Sequence, residues 1–94
     1  MKTPTTLYRT QATPTIAVST VCTREGRALV YETTLIVDAG GSRHVLDGVR
    51  TASKDAAGRE HDETVRFVFA RVTGCVDSSS ARHARWTAAL AAVV

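Results

Sequence analysis

One short segment near the carboxyl end of the chain combines residue types that hydrolases use. Asp77, Ser79 and His83 lie close together, and Ser79 and His83 are spaced to share one face of a helix. An acid, a base and a nucleophile can form a catalytic triad, but a triad also needs an oxyanion hole and a substrate cleft. The sequence lacks the glycine-rich turn that exposes such a nucleophile. We therefore interpret the segment as a helix cap beside a surface histidine and predict that the protein is not an enzyme.

The possible metal ligands are either adjacent in the sequence or widely dispersed. Residues 60–63 read Glu-His-Asp-Glu, and adjacent side chains rarely converge on one ion. The others lack the paired spacing of zinc sites; they are Cys22, Cys75, His44, His61 and His83. Gly40 and Gly41 belong to no phosphate-binding motif. We predict no metal and no cofactor, and we interpret residues 60–63 as a solvated acidic loop.

Four arginines in the last third of the chain could form a basic patch if the elements that carry them lie side by side. They are Arg66, Arg71, Arg82 and Arg85. Such a patch could engage several phosphates and would bind in a salt-sensitive way. Exposed aromatic residues for stacking on bases are not evident, and Arg82 could instead stack on Trp86 one turn away. Scattered, solvated arginines are the ordinary explanation, so a nucleic-acid-binding domain is the alternative prediction.

Composition indicates one small domain from a GC-rich genome. The 94 residues are 44% hydrophobic and 22% charged, with a net charge of +3. Arginine is far commoner than lysine and asparagine is absent, which indicates a bacterial or phage source. The mild basic charge permits an acidic partner but is weaker than that of dedicated nucleic-acid binders.

The chain carries no sequence signal for export or membrane insertion. The first residues contain no apolar run of the length that a signal peptide needs, and no stretch is long enough to span a membrane. We expect a protein of the bacterial cytoplasm that does not bind membranes. Cys22 and Cys75 could form a bridge if their strands are neighbours, but two buried reduced thiols are the expectation.

Residues 1–14 are predicted to be an extended N-terminal arm, and residues 15–94 a single α+β domain. The arm is rich in threonine and contains Pro4 and Pro14, which favour extended backbone. It would become ordered only if Leu7 or Tyr8 docks on the domain. Arms of this kind can contact partners, so Tyr8 joins the four arginines as a candidate partner-binding residue.

Alternating apolar and polar residues predict three antiparallel strands in the next part of the chain. The strands are expected at 15–23, 28–38 and 42–49, and glycine-containing hairpin turns link them. Gly48 suggests a bulge or a close approach of the backbone. The face of the sheet that is turned away from the core is expected to carry Thr and Arg.

The segment that follows is ambiguous. Residues 51–62 are small and polar and are predicted to be a loop, with at most a helical turn from 53 to 57. In residues 64–73, Val65, Phe67 and Phe69 alternate as in a strand, while Val65, Val68, Phe69 and Val72 also fit a helical stripe. The content of valine, phenylalanine and threonine favours a fourth strand. Gly74 ends the element in either case.

A C-terminal amphipathic helix is the clearest element. Residues 77–80 read Asp-Ser-Ser-Ser, a strong helix start, and residues 81–93 contain neither glycine nor proline. An apolar stripe runs along this helix and consists of Trp86, Ala89, Leu90 and Val93. The predicted fold is therefore a four-stranded antiparallel meander with one helix packed on one face.

A short chain without a catalytic constellation is expected to work through its surface. Open sheet edges and a flexible arm can bind another protein by strand addition. In size and composition the chain resembles small phage-encoded or mobile-element inhibitors, anti-CRISPR proteins among them; the resemblance covers no motif and carries over no residue. It implies a protein-binding inhibitor or adaptor whose target is a host protein or nucleoprotein complex. A homodimer formed through edge strands or C-terminal helices is compatible with this prediction.

Overall fold

The computed structural model of the protein describes residues 4–46, 48–77 and 79–93. These residues form five antiparallel strands and two helices. In chain order they are β1 (Thr5–Gln11), β2 (Ile16–Glu25), β3 (Ala28–Ala39), β4 (Ser42–Val45), β5 (Val49–Thr51), α1 (Lys54–Thr73) and α2 (Ala81–Ala91). The predicted α+β class with a small antiparallel sheet is confirmed, but the sheet carries two helices rather than one.

The sheet is built around the long hairpin of β2 and β3. The two strands pair from Ile16↔Val37 to Glu25↔Ala28, and β1 and β4 extend the sheet on either side in the order β1-β2-β3-β4. β3 turns into β4 through Gly40 and Gly41, whose φ angles of 59° and 79° are left-handed. A two-residue hairpin turn needs this backbone region, which explains the pair of glycines and confirms the predicted turn.

The predicted strand over residues 42–49 is two short strands that share one neighbour. β4 pairs with the end of β3, whereas β5 pairs with Tyr31–Thr33 nearer its start. Gly48 lies between them, where a Cβ atom would come within 2.7 Å of Thr33 O and Thr34 Cγ2. The close approach expected at Gly48 is therefore confirmed, while Asp47, inside the predicted strand, lies outside the described residues.

The N-terminal segment predicted to be an arm outside the domain contributes an edge strand. Thr5–Gln11 form β1 and pair with β2, for example through Tyr8↔Thr20 and Thr10↔Val18. The strand is ordered because Tyr8 docks, its ring centroid 5.5 Å from that of His61. The first three residues of the predicted arm lie outside the described part of the chain.

The predictions of a loop at 51–62 and a strand at 64–73 are wrong, because residues 54–73 form one helix and Thr51 ends β5. α1 begins after Ser53, whose side chain accepts a hydrogen bond from Ala56 N, and ends at Gly74 in the left-handed conformation. The buried residues of α1 are Ala57, Glu60, His61, Thr64, Phe67 and Val68, spaced as one face of a helix requires. Half of this face is polar, so the apolar residues alone do not reveal the full helical periodicity of the segment.

The second helix closes the core as the sequence predicts. α2 begins after Ser80, whose hydroxyl accepts from His83 N, and it buries Trp86 and Leu90 completely. Both pack in one cluster with Leu46, which follows β4, and with residues of the β2–β3 hairpin and of α1, namely Ile16, Val18, Leu35, Val37, Phe67 and Val68. Ser78, part of the predicted helix start, lies outside the described residues.

Two phenylalanines in α1 provide a direct test of its helical period. In a strand, Phe67 and Phe69 would share one face, whereas here Phe67 is fully buried and Phe69 is half exposed. We expect Phe67→Ala to lower the free energy of unfolding by about 3–5 kcal/mol. The matched variant Phe69→Ala should cost less than about 1 kcal/mol. Urea denaturation measures both, and equal losses would contradict the helix.

Candidate functional site

The residues that resembled a catalytic triad are joined by hydrogen bonds at the start of the second helix, whose N-cap is Ser80. The Asp77 carboxylate accepts hydrogen bonds from the backbone N–H and the hydroxyl of Ser79, and these bonds lower the pKa of Asp77. The ring of His83 accepts from the backbone N–H of Asp77 through Nδ1, at 3.0 Å. The ring is thus bonded to the turn rather than to the serine hydroxyl. The three residues form a turn that leads into α2.

Residues 60–63 lie in α1 and not in the solvated loop that was predicted. Glu60 and His61 are buried, whereas Asp62 and Glu63 turn outward.

Both cysteines are free thiols. Cys22 is half-buried and Cys75 is exposed, so the expectation of two buried thiols is wrong for Cys75. Across residues 4–46, 48–77 and 79–93, no group of three His, Cys, Asp or Glu side chains is placed to hold a metal ion.

Three of the four candidate arginines are engaged within the protein. Arg66 pairs with Glu63 at 3.2 Å, and Arg82 pairs with the buried carboxylate of Glu60 at 2.7 Å. Arg85 donates to the carbonyl of Gly48 at 2.7 Å, and its guanidinium lies 5.6 Å from the centre of the Trp86 ring. The arginine that stacks on Trp86 is thus Arg85 and not Arg82. Arg71 is exposed in the last turn of α1.

The fifth candidate residue, Tyr8, stands where β1 meets α1. Its neighbour His61 is 4% exposed and has both ring nitrogens within hydrogen-bonding distance of threonines: Nε2 is 2.9 Å from Thr10 Oγ1, and Nδ1 is 2.9 Å from Thr20 Oγ1. Thr20 Oγ1 lies 2.8 Å from Thr33 Oγ1. This chain of hydrogen bonds links β3, β2, α1 and β1, and it fixes β1 at the edge of the sheet.

The outer edge of β1 is open for pairing. Ala12 N donates to Ile16 O, so the alternation of an antiparallel ladder turns the backbone groups of Tyr8 and Thr10 toward β2. The N–H and C=O groups of Arg9 and Gln11 therefore point away from the sheet. Among the described residues, no strand pairs with this side of β1.

The opposite edge of the sheet is obstructed. It consists of β4 and β5, of four and three residues, and the backbone between them turns close against β3 at Gly48. The carbonyl of Gly48 already accepts from Arg85 of α2. Short, interrupted edges discourage pairing with another strand, so β1 is the edge that can extend this sheet.

One flank of α1 runs beside the open edge. Gly58, Asp62, Val65, Phe69 and Val72 are spaced by four and three residues and therefore form one stripe along the helix. Gly58 and Asp62 line a cavity of about 160 Å³ together with Tyr8, which places this stripe on the β1 side of α1. Farther along the stripe, Phe69 is 50% and Val72 is 65% exposed. The stripe therefore begins beside the open strand at Tyr8 and continues along α1 to these exposed apolar residues.

The other face of the sheet offers a weaker surface. It carries two exposed ion pairs, Arg43–Asp38 at 3.1 Å and Arg50–Glu25 at 2.6 Å. Because the charges within each pair cancel, these two arginines add little net charge to that face. The predicted Thr and Arg are present, but each of these two arginines has an acidic neighbour.

Comparison with known proteins gave no match: no family model, no curated protein and no solved structure is similar to this chain. No helix of the described residues is long and apolar enough to cross a membrane.

Sequence analysis names Tyr8 as a candidate partner-binding residue, which remains a prediction, but it does not name the neighbours of Tyr8 in the candidate site. Gly58 and Asp62 were assigned to a loop, and Arg9 was not singled out, because its contribution is a backbone group and not a side chain. The available signal was the spacing of Gly58, Asp62 and Val65, which fits one stripe of a helix. That spacing is informative only if residues 54–73 are helical.

The buried His61 predicts that stability depends on pH. Burial lowers the pKa of His61 below its ordinary value, with Asp62 acting in the opposite direction. In the unfolded chain the pKa returns to about 6.5. The unfolded state therefore binds more protons below that pH, so stability should be highest above about pH 6.5 and decline as the pH falls toward the lower, folded-state pKa.

Urea denaturation of the wild-type protein and of His61→Gln at about pH 5 and about pH 8 measures this effect. The wild-type protein should lose more stability on acidification than the variant. Equal losses would show that His61 does not titrate with a lowered pKa in the folded protein, which NMR titration of its imidazole would check independently.

Proposed function

We propose that this protein is a small, non-enzymatic protein-binding module that takes an extended segment of its partner as an additional strand beside β1. The observation that carries the proposal is the difference between the two edges of the sheet. One edge is interrupted and capped by Arg85, and the other presents the backbone groups of Arg9 and Gln11. Strand addition uses such groups for affinity and neighbouring pockets for specificity.

The engaged arginines favour a protein over a nucleic acid as the partner. Phosphate binding by Arg66, Arg82 or Arg85 would compete with a contact that each already makes inside the protein. Arg82 in particular neutralises Glu60, which is buried, so its loss would leave a buried carboxylate unpaired. A nucleic-acid-binding surface made of these side chains is the weaker candidate for this reason.

The proposal includes an inhibitory role in a bacterial cell. A small domain that adds its edge to a strand of a host protein or nucleoprotein complex blocks that surface without any catalysis. Phage-encoded inhibitors, anti-CRISPR proteins among them, are the class that the size and composition of this chain resemble. No cofactor is required for such binding.

The edge can be blocked by one substitution. Arg9→Pro removes an N–H group that points outward, and proline is tolerated at edge positions of this kind. The matched control Arg9→Ala removes the same side chain and keeps the N–H group. We expect tagged wild-type protein and Arg9→Ala to retain the same protein partner from bacterial lysate, with and without nuclease, and Arg9→Pro to lose it.

Circular dichroism and thermal melting establish that both variants are folded. If Arg9→Pro retains the partner as well as Arg9→Ala does, β1 is not the interface. If the partner disappears on nuclease treatment, and on Arg71→Ala, nucleic acid is bound instead and binding should weaken steeply with salt.

A further inference from the structure

Gly58 is a glycine that the packing of the protein does not require. It lies inside α1, where glycine costs roughly 1 kcal/mol relative to alanine. A Cβ atom at this position would meet only the hydroxyl of Tyr8, at 3.9 Å, an ordinary contact distance. The missing side chain leaves open the cavity of about 160 Å³ that Tyr8, Gly58 and Asp62 line.

The lining of this cavity suits a positively charged side chain. Asp62 supplies an exposed carboxylate, and among the described residues it has no salt-bridge partner. Tyr8 supplies an aromatic ring and a hydroxyl group. A carboxylate and an aromatic face are the groups that Lys and Arg side chains contact favourably.

We infer that the cavity between β1 and α1 is a specificity subsite that accepts a Lys or Arg side chain from the strand bound at β1. The inference rests on the proposed strand addition, and it adds the chemistry of the partner. A strand paired with β1 turns alternate side chains to the helix side of the sheet, the side on which Tyr8 and Thr10 contact His61.

The same geometry predicts what accompanies the basic residue. From Asp62 the stripe on α1 continues to Val65, Phe69 and Val72, of which Phe69 and Val72 are exposed. Side chains on one face of a strand recur about every 7 Å. The bound segment is therefore a basic residue followed, at alternate positions toward the carboxyl end of α1, by apolar residues that cover Phe69 and Val72.

The probe is a phage-displayed library of random short peptides, selected on the immobilised wild-type protein. We expect selected peptides to carry Lys or Arg at one shared position with apolar residues at alternate positions beyond it, and to bind Arg9→Ala but not Arg9→Pro. Replacing the basic residue of a selected peptide by Gln should weaken binding to the wild-type protein about fivefold.

Three variants locate the subsite. Replacing the basic residue of the peptide by Gln should have no effect on binding to Asp62→Asn. The control Asp38→Asn changes the net charge by the same amount on the other sheet face, and it should bind both peptides as the wild-type protein does. Gly58→Leu fills the cavity, so it should weaken binding of the basic peptide while raising the melting temperature. Asp62→Asn keeps the test decisive if Gly58→Leu does not fold.

The outcomes separate this inference from the proposed function. Peptides that bind at the Arg9→Pro-sensitive edge without a shared basic residue, or whose basic residue is insensitive to Asp62→Asn, overturn the subsite and leave strand addition in place. Failure to select any peptide, or equal binding to Arg9→Pro, overturns both. A wild-type dimer in light scattering that Arg9→Pro dissociates would show that a second copy of the chain occupies the edge, which also overturns the subsite.

Discussion

Two threonines buried on the β2–β3 hairpin determine how α1 lies on the sheet. Alternation along the strands places Thr20 and Thr33 on the helix side, where they form the cross-strand pair next to Val18 and Leu35. Both threonines are fully buried, and buried hydroxyls need hydrogen-bond partners. They satisfy one another in part, and His61 of α1 provides the remaining contact to Thr20. The helix meets this requirement in the rotation that turns His61 toward the sheet.

The other nitrogen of His61 extends the same constraint to β1. Nε2 of His61 contacts Thr10, and the ring of Tyr8 packs on the His61 ring. These contacts hold β1 against β2, although the strand contributes little to the apolar core. Once α1 is oriented by His61 and by the buried Phe67, Gly58 and Asp62 must lie on the flank beside β1. The candidate site is thus a consequence of how the polar part of the core is satisfied.

Charge has a structural role over much of this surface. Four arginines each form an ion pair with an acidic residue: Arg43, Arg50, Arg66 and Arg82. A fifth, Arg85, donates a hydrogen bond from α2 to the backbone between β4 and β5. These five arginines therefore already have partners within the protein. What remains available for recognition is mainly backbone, at Arg9 and Gln11, together with the apolar flank of α1.

The sequence alone determined the elements whose signals are local. β2 and β3 follow from alternation and from glycines in their turns, and α2 follows from its cap and from the stripe that includes Trp86 and Leu90. It also named Tyr8 as a candidate binding residue, which remains a prediction, but neither Gly58 nor Asp62. α1 and β1 were decided by tertiary structure, because their order depends on partners that are distant in the sequence. The buried face of α1 includes Glu60, His61 and Thr64, and the first two are stabilised there by Arg82, Thr10 and Thr20. Apolar periodicity cannot reveal such a face, because the free energy of burying its polar groups is set by contacts that exist only after folding.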